Sequence, residues 1–186
     1  MSNGAETRIK RSREKILAAA EQVFLRHGFL GANMDTVADV AGVSKQTLYA
    51  HGKSKEALFV QVVELMAGGA ARDIGEDEED DFEGISAEQF FLAAATQQLL
   101  VVMTPRLMQL RRMVVGEVQR FPELGRSLHE NGVRVSVARY ARAIGHYSAI
   151  GELECDDPIA AAKFFNWSVM GAPTNRPIKE LGGSDW

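Results

Sequence analysis

The chain has 186 residues, 46% hydrophobic and 25% charged, enough apolar material for a real core and for one small module plus one larger helical domain, which excludes a disorder-dominated chain. Its net charge of −4 hides an asymmetry: residues 1–60 carry nine Lys/Arg against six Asp/Glu, whereas residues 61–100 carry one against ten, so an acidic pI of 5.6 does not exclude a polyanionic partner for the N-terminal part. The single cysteine, Cys155, rules out an internal disulfide, the N-terminus lacks the apolar core of a secretion signal, and the longest apolar stretch is interrupted by Thr96, Gln97 and Gln98; the expectation is a cytoplasmic protein with no membrane span.

The predicted elements are all helical. Ile16, Ala20, Val23 and Phe24 share one face of a first helix over residues 8–27, closed by Gly28. A second, short helix starts after Asn33, whose side chain can cap it, and ends at Gly42. Ser44 can cap a third helix, and Ser54 a fourth that carries Leu58, Val62, Leu65 and Met66 on one face. The run GEDEEDDFEG, residues 75–84, reads as a solvated linker, because it lacks the spaced ligands and central turn glycine of a calcium loop. Further helices are expected over about 86–103, over 105–120 from Pro105, over 122–149 from Pro122, and over 157–171 from the pair Asp157-Pro158. The tail GAPTNRPIKELGGSDW is expected to add only a short final turn.

Two of these helices carry the functional signal. Ala38, Gly42 and Leu48 stand at i, i+4 and i+10: a small residue permits close approach, a glycine makes the turn, and an apolar residue closes the shared core of a helix-turn-helix. Ser44, Lys45, Gln46 and Thr47 fill the cap and first turn of the third helix, the end that enters a major groove. The Gln46 amide can pair in bidentate fashion with adenine, and Lys45 can reach guanine or a phosphate. Tyr49, His51, Lys53 and Lys55 continue this polar path toward the fourth helix. The early basic residues Arg8, Lys10, Arg11 and Arg13 are either a flexible contact arm or a solvated tail.

The sequence ILAAAEQVFLRHGFLGANMDTVADVAGVSKQTLYAHGKSKEALF, residues 16–59, resembles the DNA-binding domain of TetR-type bacterial transcriptional regulators. The IL-AA-VF pattern, HGF, AGVSKQTLY and SKEALF occur in order and at family spacing. RFPELGRSLHENG at 120–132 and GELECDDPIAAAKFF at 151–165 are similar to the C-terminal domain of an AefR-like subgroup. The resemblance implies an all-α protein: a helix-turn-helix domain over residues 1–60, joined by the fourth helix to an effector-binding and dimerisation domain over 61–186. It also implies a homodimer on a near-palindromic double-stranded DNA operator, acting as a repressor that a small molecule releases. By family position Thr47, Tyr49 and His51 touch the DNA backbone. Lys55, in the first turn of the fourth helix, is expected to join that helix's N-terminal dipole in holding a phosphate, and Asn33 and Thr36 to do likewise, although capping alone accounts for Asn33. Dimerisation is expected through the helices at about 122–149 and 157–171.

The residue three after Tyr49 is usually a phenylalanine in that family, and here it is Gly52. The implied loss is an anchor whose burial contributes roughly 1.5–3 kcal/mol, with Gly52 ending its helix at positive φ and Gly52→Phe expected to raise the melting temperature.

For the effector, Phe90, Met103, Leu107, Met108, Tyr140, Phe164 and Trp167 suit an apolar or aromatic ligand, and Arg111, with Arg112, Arg139, Arg142 and His146, suits an anionic group; core packing and surface exposure are the plainer readings of each. No cofactor and no metal are expected: His27, His51, His129 and His146 are far apart in sequence, and no phosphate loop or Ser/His/Asp set is present. An enzyme is therefore not expected, and an architectural DNA-binding protein without an effector is the remaining alternative.

Overall fold

The computed structural model describes residues 3–75 and 82–182. These form nine α-helices and one π-helical turn, with no strand among the described residues. They group into two compact units: one holds the residues up to Met66 with Gln109–Leu128, the other Ala67–Met108 with the residues from His129 onward. A division at residue 60 separates stretches of sequence; by packing, residues 109–128 join the N-terminal helices.

The first unit is built on α1 (Asn3–Gly31), α2 (Met34–Ala41) and α3 (Lys45–Gly52). Ile16, Ala20, Val23 and Phe24 of α1 are buried, as their 3.6-residue period requires. Gly28 breaks α1 at φ 68°, ψ 174°. The helix begins at Asn3, so Arg8, Lys10, Arg11 and Arg13 are exposed side chains of a helix and not a flexible arm. The Asn33 side chain accepts from Asp35 N at 2.8 Å and caps α2. Gly42 ends α2 in the left-handed region (φ 64°, ψ 39°), and Thr47 N donates to Ser44 Oγ at 3.1 Å to cap α3. Ala38 and Leu48 are 2% and 0% exposed, closing the core of the helix-turn-helix.

The fourth helix, α4 (Lys55–Asp73), is capped by Ser54, whose Oγ accepts from Ala57 N at 3.1 Å. Leu58, Val62 and Met66 are buried as expected, but Leu65 is 42% exposed and Val63 takes the buried place. The Phe59 ring packs at a tilt against both Phe24 and Phe29, with centroids 4.8 and 5.2 Å away, and Phe121 meets Phe29 edge-on at 5.2 Å.

Gly52 departs from its expectation. It is the last helical residue of α3, and the positive φ falls one residue later, on Lys53 (φ 59°, ψ −67°). The space an anchor would fill is taken by Leu58: a Cβ at position 52 would meet Leu58 Cδ1 at 3.5 Å and Leu58 Cβ at 3.6 Å.

In the second unit α5 (Ala87–Val102), α8 (Arg134–Ala149) and α9 (Pro158–Gly182) pack on one another. Between them in the chain, α6 (Pro105–Glu117) and α7 (Pro122–Leu128) start at the prolines expected to start them. Ser86 and Gln89 form a reciprocal capping box on α5, and Asp157 caps α9 through Ile159 N and Ala160 N. The core joins Phe90 and Ala94 to Tyr140, Ala143, Ile144, Tyr147 and Ala162. Two expectations fail here. The helix expected over 122–149 is interrupted by a π-helical turn at His129–Val133, and α9 runs through Pro173 to Gly182 where only a short turn was expected. Most of the acidic run, residues 76–81, lies outside the described residues. No single helix among the described residues is long and apolar enough to cross a membrane.

Candidate nucleic-acid interface

The first turn of α3 presents its polar residues outward because Leu48 and Gly52 take the inward face. Ser44, Lys45, Gln46 and Tyr49 are exposed, with Tyr49 at 49%. Thr36, Thr47 and His51 are half-buried. Ser44 Oγ lies 2.9 Å from Thr47 Oγ1, so these two hydroxyls are already tied into the cap, and the Gln46 side chain between them is exposed. Asn33 spends its carbonyl oxygen on capping α2. The structure thus gathers Ser44, Lys45, Gln46, Thr47, Tyr49 and His51 on one short helix, with Asn33 and Thr36 at the helix preceding it.

Two lysines are engaged within the fold. Lys45 Nζ donates to Asp35 Oδ2 at 2.7 Å, and this hydrogen bond, with the attached charge, raises its pKa above the ordinary lysine value. Lys55 Nζ donates to Ala32 O at 3.2 Å and Leu30 O at 3.4 Å and sits 4.6 Å from the centre of the Phe29 ring. The ammonium expected to face a phosphate therefore rests on the carbonyl end of α1. Beside it, the Glu56 carboxyl is held below the usual carboxylate range by its own backbone amide and by Ser54.

An open cleft of about 830 Å³, which no motif in the sequence announces, flanks the α3–α4 turn and is lined among others by Ile9, Arg13, His51, Lys53 and Glu123.

The effector candidates of the second unit do not share one cavity. Phe90 and Tyr140 are core, 7% and 1% exposed. The Tyr140 hydroxyl donates to Gln98 Oε1, and Gln98 Nε2 donates to Asn166 Oδ1 at 2.9 Å; burial pushes the Tyr140 hydroxyl up to about 12, against a smaller lowering by Arg139. Met103 lines one open groove with Leu99, Leu100 and Pro173. Phe164 edges another, of about 370 Å³, with Phe91, Ile144, Leu153, Cys155 and Phe165. Phe164 and Trp167 are nonetheless 77% and 52% exposed on α9. Met108 is buried and Leu107 half-buried, while Arg111, in the first unit, is half-buried on α6. Arg139 donates to Ile74 O and lies 5.5 Å from the Phe90 ring centre, so it closes the end of α4. No group of three or more metal-ligating side chains occurs among the described residues.

Known proteins bring these units under one description. Residues 16–62 match the family described as bacterial regulatory proteins, tetR family, and residues 89–178 match the AefR-like transcriptional repressor, C-terminal domain. The solved structure of a TetR-family transcriptional regulator from Mesorhizobium loti MAFF303099 is 30% identical, with a TM-score of 0.79 over 96% of this chain and 87% of that one. The flavonoid-responsive regulator FrrA is 33% identical, with a TM-score of 0.76 over 95% and 87%. Among curated relatives, the transcriptional activator FasR of Mycolicibacterium smegmatis is 46% identical over 52 residues, 28% of this chain and 24% of its own length. The regulator RutR of Escherichia coli K12 is 41% identical over 70 residues, 34% and 33%. The chain thus spans about a quarter to a third of the length of those two curated relatives. It belongs to the TetR family of helix-turn-helix transcriptional regulators.

Proposed function

We propose that this protein is a repressor that binds a near-palindromic operator as a homodimer and is released by an aromatic small molecule. The carrying observation is the outward-facing first turn of α3, where Gln46 is exposed between the Ser44 and Thr47 caps. The match of residues 89–178 to a repressor domain supports the direction of regulation. The likeness to a flavonoid-responsive regulator, together with the groove edged by Phe91, Phe164 and Phe165, supports an aromatic effector. Exposed Ile159, Phe164 and Trp167 on α9 support that helix as part of the dimer face.

A genome-wide binding map followed by footprinting tests the reading: a short palindrome is protected, and a panel of flavonoids shortens its occupancy. Protection of DNA without sequence preference would instead favour an architectural protein, and protection that survives every aromatic ligand would remove the effector class.

A further inference from the structure

Each of the three packed helices of the second unit puts a neutral polar side chain into its core: Gln98 on α5, Tyr140 on α8 and Asn166 on α9, at 3%, 1% and 2% exposure. Polar groups placed there must find partners or cost stability. These three form a directed chain. The Tyr140 hydroxyl, which burial keeps protonated, donates to Gln98 Oε1, and Gln98 Nε2 donates to Asn166 Oδ1 at 2.9 Å. The chain ends on Asn166 Nδ2, which no hydrogen bond engages among the described residues. Among those residues Ser148 Oγ is the one buried side-chain polar atom sealed off without a partner, so the unpaired Asn166 donor borders accessible space although its residue is 98% buried.

The surroundings set the chemistry of a partner for that donor. The Tyr140 ring meets Phe91 and Phe165 at centroid distances of 6.3 and 4.9 Å. Both phenylalanines line the groove of about 370 Å³, so one aromatic layer separates the groove from the polar chain, and aromatic faces suit an aromatic molecule. The chain delivers an N–H at its end, so the partner supplies an acceptor oxygen. An anion is disfavoured: Arg139, the charged group that acts on the Tyr140 hydroxyl, already donates to Ile74 O and lies over the Phe90 ring, and an anion buried without a paired cation is costly.

We propose that Asn166 Nδ2 is the polar anchor of the effector, and that the effector is a neutral aromatic molecule bearing a carbonyl oxygen that accepts from it. The assignment rests on the aromatic-effector reading and narrows it. Aromatic hydrocarbons leave the donor unpaired, and aromatic carboxylates bring a charge that the core does not neutralise.

Titration calorimetry of the full 186-residue chain with flavone, and with flavan, which shares its skeleton but lacks the carbonyl, tests this. Flavone is expected to bind about tenfold or more tightly than flavan, because flavan leaves a buried donor without an acceptor. Asn166→Leu should bring the two affinities together by weakening flavone and not flavan. Its melting temperature should also fall, since Gln98 Nε2 loses its acceptor; a merely structural role would produce that fall and leave the flavone-to-flavan ratio at its wild-type value. Equal binding of the two compounds by the wild-type chain, or a wild-type ratio in a folded Asn166→Leu variant, would overturn the anchor and leave the aromatic effector standing. If the variant does not fold, the wild-type ratio alone decides. Binding of neither compound by the wild-type chain would overturn the aromatic-effector reading and the anchor with it.

Discussion

Lys45 Nζ lies 2.7 Å from Asp35 Oδ2, so the first turn of the reading helix is tied to the first turn of the helix before it. Both side chains are more than half exposed, which makes the pair weak as a source of stability. Under the proposed function it is a competitor: a phosphate or guanine would have to take Lys45 from Asp35, and the carboxylate would itself repel the duplex.

Asp35→Asn should therefore tighten binding to any duplex, steepen its salt dependence and leave the melting temperature nearly unchanged. Anisotropy on operator and random DNA checks this, and unchanged affinity on both would mean that Lys45 never leaves Asp35.

Gly52 yields a prediction that reverses the sequence-based one. Because the residue is helical and a Cβ there would meet Leu58 at ordinary contact distances of 3.5–3.6 Å, Gly52→Ala should stabilise the chain by about 0.4–1 kcal/mol, a rise of a few degrees at this size. Gly52→Phe must displace Leu58, itself 1% exposed, and overpacking of that kind costs about 1–3 kcal/mol. Thermal melting of both variants decides: a higher melting temperature for the phenylalanine would restore the missing-anchor reading.

This contrast shows which features the sequence encodes openly. Caps and stops are local, one side chain to a nearby amide or one glycine at positive φ, so Asn33, Ser44, Ser54 and Asp157 and the breaks at Gly28 and Gly42 were all readable. The helix-turn-helix core was readable for the same reason, being three residues at fixed spacing. Leu58 filling the space over Gly52 is a contact made across the α3–α4 turn, six residues on in the sequence, which no cap or stop residue announces. The π-helical turn at His129–Val133 left no mark because helical residues continue on both sides of it. α9 continues past Pro173, where Thr174 Oγ1 donates back to Met170 O at 2.6 Å. At the site, residue types were legible but commitments were not: nothing in SKE indicates that Lys55 turns back to α1, or that Lys45 meets Asp35.

Tyr140 gives the second unit a pH signature. Its hydroxyl pKa is raised from 10.0 to about 12 by burial, so the folded state prefers the neutral phenol. The associated stability is fully present below pH 10 and is lost as pH rises through about 12. Tyr140→Phe should remove that alkaline dependence, yet lower stability at pH 7 by about 1–3 kcal/mol, because Gln98 Oε1 then loses its buried donor. Denaturant melts at pH 7 and pH 11 check both signs; a steep loss between them in the Phe variant would assign the titration to another group.

Gln46 carries the specificity claim. It is exposed on the first turn of α3, and its amide offers the donor and acceptor that adenine N7 and N6 require. Under the proposed function the contacts of Tyr49 and His51 go to the DNA backbone and are blind to sequence, so they should survive when Gln46 is truncated. Gln46→Ala should weaken operator binding by about 1–3 kcal/mol, roughly five- to 150-fold, while random-duplex affinity and its salt slope stay at wild-type values. Competition binding on the footprinted palindrome and on single-base variants of it locates the effect. Discrimination should relax at one base position in each half-site and at no other; equal weakening on operator and random DNA would make Gln46 a helix-surface residue without a reading role.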